Sequence, residues 1–400
     1  MRNPLIAAAS LVLIAVMAGC SAAPAPAPVA PPSGDAGHGE VAGARELAEP
    51  ALHLATVSAD GEVAHLDLLD ERSDVIARVE PAAEVITDGR YLFAIREGAV
   101  TVIDSGVWTW SHIDHFHYYE APSRVIGDVK GRGVATVVPG ETGTGILFDD
   151  VAVLLDSPAL ADGDIVERFR VDVDEHDGLV VPLAAGALVT APDADGVPQE
   201  VRVMTAAGEE SGRLPCARAA GTITTVVGVV VGCADGALLA VGGDATDTER
   251  IPYPAQAPSR AVEFAARKAR PSVAATTGGS VFWVLDTRAR RWTVWDAGQQ
   301  IVRATAIDDA DDRMLVLAAD GSVLVMADGA VVARTAPLVA ESLADDETAG
   351  HVRFVVDQKR AYLNGPKERT LWEIDPADAA RIARVFTTDD EPLHLAGTGR

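Results

Sequence analysis

Positive charge is scarce in this 400-residue chain. Lys and Arg number 33 against 59 Asp and Glu, giving a formal net charge of −26. Such an excess makes binding to DNA, RNA or an anionic membrane surface electrostatically unfavourable, so nucleic acid is excluded as a partner. Long 3.6-residue apolar periodicity is nearly absent, which excludes a helical body. After the first 20 residues no stretch approaches 18 uninterrupted apolar residues, so the remainder is expected to be soluble. No Ser-His-Asp signature, phosphate-binding loop or cofactor motif occurs. Cysteine is limited to Cys20, Cys216 and Cys233.

What is present points first to export. Arg2 precedes an apolar run over residues 5–18, too short to span a bilayer, which ends in Met17-Ala18-Gly19-Cys20. A Cys after small residues resembles a bacterial lipobox, with Cys20 as the lipid-modified first residue of the mature protein. Residues 1–20 are therefore expected to be a lipoprotein signal peptide. Residues 21–47 are rich in Pro and Ala, favour extended polyproline II and read as a tether holding the body off the membrane. Setting Cys20 aside leaves Cys216 and Cys233, an even pair in an exported chain, where thiols are normally oxidised. A disulfide across one hairpin is expected. Neither a CxxC spacing nor a neighbouring His supports a metal or redox centre on these two.

From residue 48 onward, strands of four to eight residues rich in Val, Ile, Leu and Thr recur between Gly, Asp and Pro, which makes the class all-β. Gly and Pro supply 59 of the 400 residues, roughly 15% against an average near 12%, so turns are frequent. Tight turns followed by an apolar strand recur at Gly61, Gly98, Gly145, Gly196, Gly236, Gly279, Gly321 and Gly365. Their mean spacing is about 43 residues, the size of one four-stranded propeller blade. Residues 48–400 fit a β-propeller of eight blades better than seven. WTVWD at Trp292 suggests a WD repeat, but the Gly-His partner and regular recurrence are missing. The final strand, near residues 392–397, starts like an inner strand, while the first blade begins at its second strand near His53. The C-terminal strand is expected to close the ring, which removes exposed sheet edges.

The densest chemical signal is SGVWTWSHIDHFHYYEAPSR, with His112, Asp114, His115 and His117; these include three of only nine histidines. Histidine is a frequent ligand for borderline metals, and H-x-x-H-x-H in a loop can bring three imidazoles to one point. In an eight-blade register residues 106–111 would be the outer strand of one blade and 123–129 the inner strand of the next. The histidines would then lie on the crossing between blades, at the mouth of the central channel. His176, just before an inner strand beginning near Leu179, falls at the same topological place and could add a ligand, as could His351. His53, His65 and His394 lie within strand patterns and are expected to be packing residues. His38, in the tether, could collect metal weakly.

DSGVWTWSHIDHFHYY, HDGLVVPL, the Cys216/Cys233 pair ending in GCADGALL, and LNGPKERTLWEID together resemble the periplasmic zinc metallochaperones of the AztD type. The resemblance implies a β-propeller that binds zinc and passes it to the solute-binding protein of a zinc ABC importer. It carries the metal role onto His112, Asp114, His115 and His117, with His176 at the next His-containing junction. Ile113 stands where the family pattern has Gly, and Ala220-Gly221 replaces a His-Gly, so a second zinc site is not supported. The expected protein is a non-enzymatic, monomeric zinc carrier outside the cytoplasm, lipid-anchored through Cys20. A metal-independent interaction module and a metal-dependent hydrolase or lactonase-like enzyme are the alternatives; the latter would use an open coordination position to activate water.

Overall fold

The computed structural model describes Val41 and residues 43–111, 115–257 and 259–400. The expected signal peptide, Cys20, His38 and most of the tether lie outside the described residues, as do His112 and Asp114.

The described chain is all-β and propeller-like. Seven four-stranded antiparallel sheets follow the same plan, for example Met314–Ala318 and Val323–Ala327 between the flanking strands Ile301–Ala306 and Ala330–Arg334. The two middle strands of this sheet are almost wholly buried and the fourth is largely exposed. Middle strands with apolar residues on both faces need cover on both sides, and neighbouring sheets provide it by face-to-face packing. Phe282 and Ala274 of one sheet thus pack with Met314, Val316 and Leu324 of the next.

One further sheet is assigned three strands, Glu84–Thr87, Tyr91–Asp104 and Arg124–Val134. Its long middle strand folds back on itself at Glu97-Gly98. Residues 92–95 pair with 84–87, and residues 99–104 pair with 124–130. The Ser105 amide donates to the Arg90 carbonyl at 3.2 Å. Gly98 has φ +78°, the left-handed region that glycine adopts without steric cost. The sheet is therefore four-stranded in substance.

The first sheet is completed from the far end of the chain. His394–Thr398 pairs antiparallel with His53–Val57, from Val57 opposite His394 to His53 opposite Thr398. Every residue of His394–Thr398 is buried. Leu395 packs with Leu54 and Leu66 of the first sheet and with Tyr362, Leu371 and Phe386 of the last.

Three expectations are corrected. Cys216 and Cys233 are bonded, with Cα atoms 5.1 Å apart, but not across one hairpin. Cys216 follows the outer strand Glu210–Pro215, and Cys233 ends Gly228–Cys233 in the next sheet, so the bond joins two sheets. Residues 106–111 are not an outer strand: Val107–Ser111 pairs with Phe116–Glu120 as a separate hairpin. Arg124–Val134 is not the inner strand of a following sheet, since it pairs with 99–104; the following sheet begins at Thr136–Pro139. The hairpin is thus inserted between the third and fourth strands of one sheet. It gains a third strand from Arg45–Leu47, whose residues pair with Tyr118, Tyr119 and Glu120. Ordered β-structure therefore starts before residue 48.

Candidate metal centre

The inserted hairpin is fixed at its base by buried charge. Asp104 is 2% exposed and accepts from Arg90 Nε at 3.0 Å and Nη2 at 2.8 Å, a bidentate geometry that is strong and directional. Arg124 Nη2 approaches the same carboxylate at 3.5 Å. Gly106 turns the chain out of the sheet with φ +83°, and a Cβ there would lie 2.2 Å from the Ala121 carbonyl oxygen. Only glycine fits this close approach of the two hairpin legs.

A column of rings runs from this base to the histidines. The Arg90 guanidinium lies 3.8 Å from the Trp108 ring centroid, a favourable cation–π contact. Trp108 stacks on Tyr119 at 5.3 Å, and Tyr119 on His117 at 6.2 Å. Strand alternation places positions 117 and 119 on one face of the hairpin. Thr109 Oγ1 donates to the Gly399 carbonyl at 2.7 Å, which ties the hairpin to the C-terminal strand.

At the far end His115 and His117 face each other. Their Nε2 atoms are 2.9 Å apart, with ring planes inclined at 63°. His117 Nδ1 donates to Glu46 Oε1 at 2.6 Å. A carboxylate only accepts, so neutral His117 carries its proton on Nδ1 and turns its Nε2 lone pair toward His115. Two imidazoles held about 2.0–2.1 Å from one tetrahedral zinc have nitrogens roughly 3.3 Å apart. The observed pair needs only a small opening to accept an ion. Donor type and orientation therefore fit a borderline metal. Among the described residues, no group of three or more metal-ligating side chains is assembled.

The structure does not bring His176 to this pair. It follows the outer strand Glu167–Asp172 and precedes the inner strand Val180–Leu183. The hairpin instead connects a third strand to a fourth, and antiparallel alternation puts these two kinds of connection at opposite ends of the strands. Both His176 ring nitrogens are also engaged locally, Nδ1 donating to the Asp174 carbonyl at 2.6 Å and Nε2 accepting from Thr190 Oγ1 at 2.7 Å. The histidines are therefore not on a crossing between sheets with His176.

Among the described residues, His53, His65 and His394 pack within the sheets. His65, 7% exposed, stacks on His53 at 4.3 Å and is hydrogen-bonded to Thr398 Oγ1 at 2.7 Å. Burial, reinforced by His53, pushes its pKa down to about 3. His394, 1% exposed, donates from Nε2 to the Ala82 carbonyl at 3.1 Å, and burial with His351 beside it lowers it to about 4. A polar cleft of about 320 Å³ borders the hairpin base, lined by Asp67, Asp70, Asp74 and Glu120 together with His53 and Arg72.

Sequence reasoning missed Glu46. It lies 71 positions from His117 in a segment read as tether, and no local spacing links the two.

No protein-family model and no curated protein matches the sequence. Among solved structures, the dihydro-heme d1 dehydrogenase NirN, in complex with DHE, gives a TM-score of 0.55 at 15% identity, covering 89% of this chain and 76% of NirN. Apo AztD from Citrobacter koseri gives a TM-score of 0.74 at 20% identity. A second crystal structure of Citrobacter koseri AztD gives 0.75 at 19%. Each AztD alignment covers 88% of this chain and 98% of AztD. The fold of this chain, over that span, is that of AztD.

Proposed function

We propose that this protein is an extracytoplasmic zinc metallochaperone, anchored to the cell membrane through Cys20, that loads the solute-binding protein of a zinc ABC importer. The body is read as a monomeric, closed propeller of eight blades, with His394–Thr398 as the closing strand. Zinc is cargo, held by His112, Asp114, His115 and His117. The observation that carries this reading is the convergence of the His115 and His117 Nε2 atoms, 2.9 Å apart, at the tip of an inserted hairpin. His176 is left out of the ligand set because its ring nitrogens are hydrogen-bonded to the Asp174 carbonyl and to Thr190 Oγ1.

The chemistry suits a carrier. Neutral imidazoles with one carboxylate bind zinc firmly yet exchange ligand by ligand, and His115 and Phe116 are exposed, where an acceptor can reach them. The excess of Asp and Glu raises the local cation concentration. A tether to the membrane would keep donor and importer within reach of each other. NirN is named as a dehydrogenase, but fold alone does not transfer an activity.

The test is zinc titration of the body against a competing chelator, followed by mixing zinc-loaded protein with an apo solute-binding protein in excess chelator. His112→Ala with His115→Ala and His117→Ala should abolish tight binding, and transfer should outpace dissociation into the chelator. Undiminished binding by the triple variant rejects the site; transfer no faster than dissociation rejects direct handover.

A further inference from the structure

The strand Arg45–Leu47 is a small element in an unexpected place. It forms one edge of the three-stranded sheet that carries the histidines, and among the described residues its strand partner is Phe116–Glu120. Glu46 is opposite Tyr119 in the register. His117 lies two residues earlier on the same strand face, so Glu46 is its diagonal cross-strand neighbour, within reach of a carboxylate side chain. The contact follows from that register, with Glu46 Oε1 at 2.6 Å from His117 Nδ1.

We propose that Glu46 is a positioning residue of the metal site and that Arg45–Leu47 is its releasable clasp, so that displacing this strand weakens zinc binding. This rests on the reading of the hairpin as a zinc site. A ligating imidazole is held in one tautomer and one orientation by an acceptor on its other nitrogen, and a carboxylate there also makes the ligating nitrogen more basic. Glu46 does both for His117. It accepts at Nδ1, and the Nε2 lone pair is left pointing toward His115.

The same contact is easily lost. Arg45 and Glu46 are exposed, with side chains retaining 72% and 56% of their accessible surface. The strand has three residues and buries none of them fully. Its second side-chain link, the Arg45–Glu120 ion pair, is solvent-exposed on both sides, a class of contact that contributes little. Short exposed edges with few buried apolar contacts open at low free energy, far below the cost of opening a buried sheet. Opening this edge withdraws the Glu46 carboxylate while the ring column from Arg90 to His117 stays in place. Among the described elements the strand is also the first, and it forms the end of the segment read as tether. A force or a docking partner acting on that segment therefore reaches the metal site through one side chain.

The experiment uses the full mature chain and reads zinc affinity by chelator competition and ligand geometry by the cobalt(II) absorption spectrum. Glu46→Ala should weaken zinc about 10- to 100-fold, the usual effect of removing such a partner, and alter the cobalt spectrum. Glu46→Gln, whose amide oxygen still accepts from Nδ1, should recover part of the affinity. Arg45→Ala loosens the same strand without touching His117 and should weaken zinc less than Glu46→Ala. Leu47→Cys combined with Tyr118→Cys, at directly paired positions, should, when oxidised to a crosslink, slow zinc loss to chelator, and reduction should reverse this. Glu46→Ala that binds zinc like the parent, or Arg45→Ala that costs as much, overturns the positioning role. An oxidised crosslink with unchanged zinc loss overturns the clasp. A parent protein that binds no zinc overturns the proposed function instead.

Discussion

Acidification should loosen the seam where the two ends of the body meet, and two buried histidines set the size of the effect. His65 is hydrogen-bonded to Thr398, and His394 begins the strand that pairs with His53–Val57. Burial lowers their pKa values to about 3 and about 4, whereas both take a proton near 6.5 once unfolded. Between about pH 6.5 and those folded values the unfolded chain binds more protons, so stability is complete above the window and falls as pH falls through it. At pH 5 each histidine costs about 2 kcal/mol relative to neutral pH, roughly 4 kcal/mol together. Denaturant titrations followed by circular dichroism at pH 7.5 and pH 5.0 measure the loss. His65→Gln keeps a hydrogen-bonding group for Thr398 but cannot charge. Its loss between the two pH values should be smaller than the parent's by about 2 kcal/mol. An equal loss in parent and variant would falsify the argument, since it would mean that His65 takes up its proton in the native state at an ordinary pH.

Two further outcomes test the frame around the site. Replacing Cys216 and Cys233 together by Ala frees a loop of sequence separation 17, which costs about 3 kcal/mol of unfolded-state restriction, or about 4 °C in Tm for a body of this size. Zinc affinity should be unchanged, and an unaltered Tm or a lost zinc site contradicts the structural role. Leu395, 2% exposed between the first and last sheets, should lose about 2–5 kcal/mol on replacement by Ala. A variant that unfolds at the parent's denaturant midpoint refutes the packing of the C-terminal strand.

Much of the architecture is legible because its determinants are local. A Gly at a tight turn followed by an apolar run specifies a strand within a ten-residue window, and repetition at about 43 residues points to stacked four-stranded sheets. The final strand could be matched to the first sheet for a similar reason, since a sheet missing its inner strand and a strand missing its sheet are both visible in one pass. The histidine cluster was legible by composition. Its placement was not: 106–111 and 123–129 have strand patterns that suit either a crossing between sheets or a hairpin within one. The choice depends on Gly98, where 91–104 folds back and supplies two strands instead of one.

The sequence by itself determined the all-β class, the repeat, the cysteine pairing and the presence of a His/Asp cluster, because each is written in short windows or in composition. Only the tertiary structure decided which groups meet. Glu46 reaches His117 across 71 positions, and His65 meets Thr398 across 333. Cys216 and Cys233 span two sheets instead of one hairpin, and His176 faces Thr190 and its own loop instead of the other histidines. Such encounters depend on strand register and on the stacking of whole sheets, which no local pattern of residues encodes.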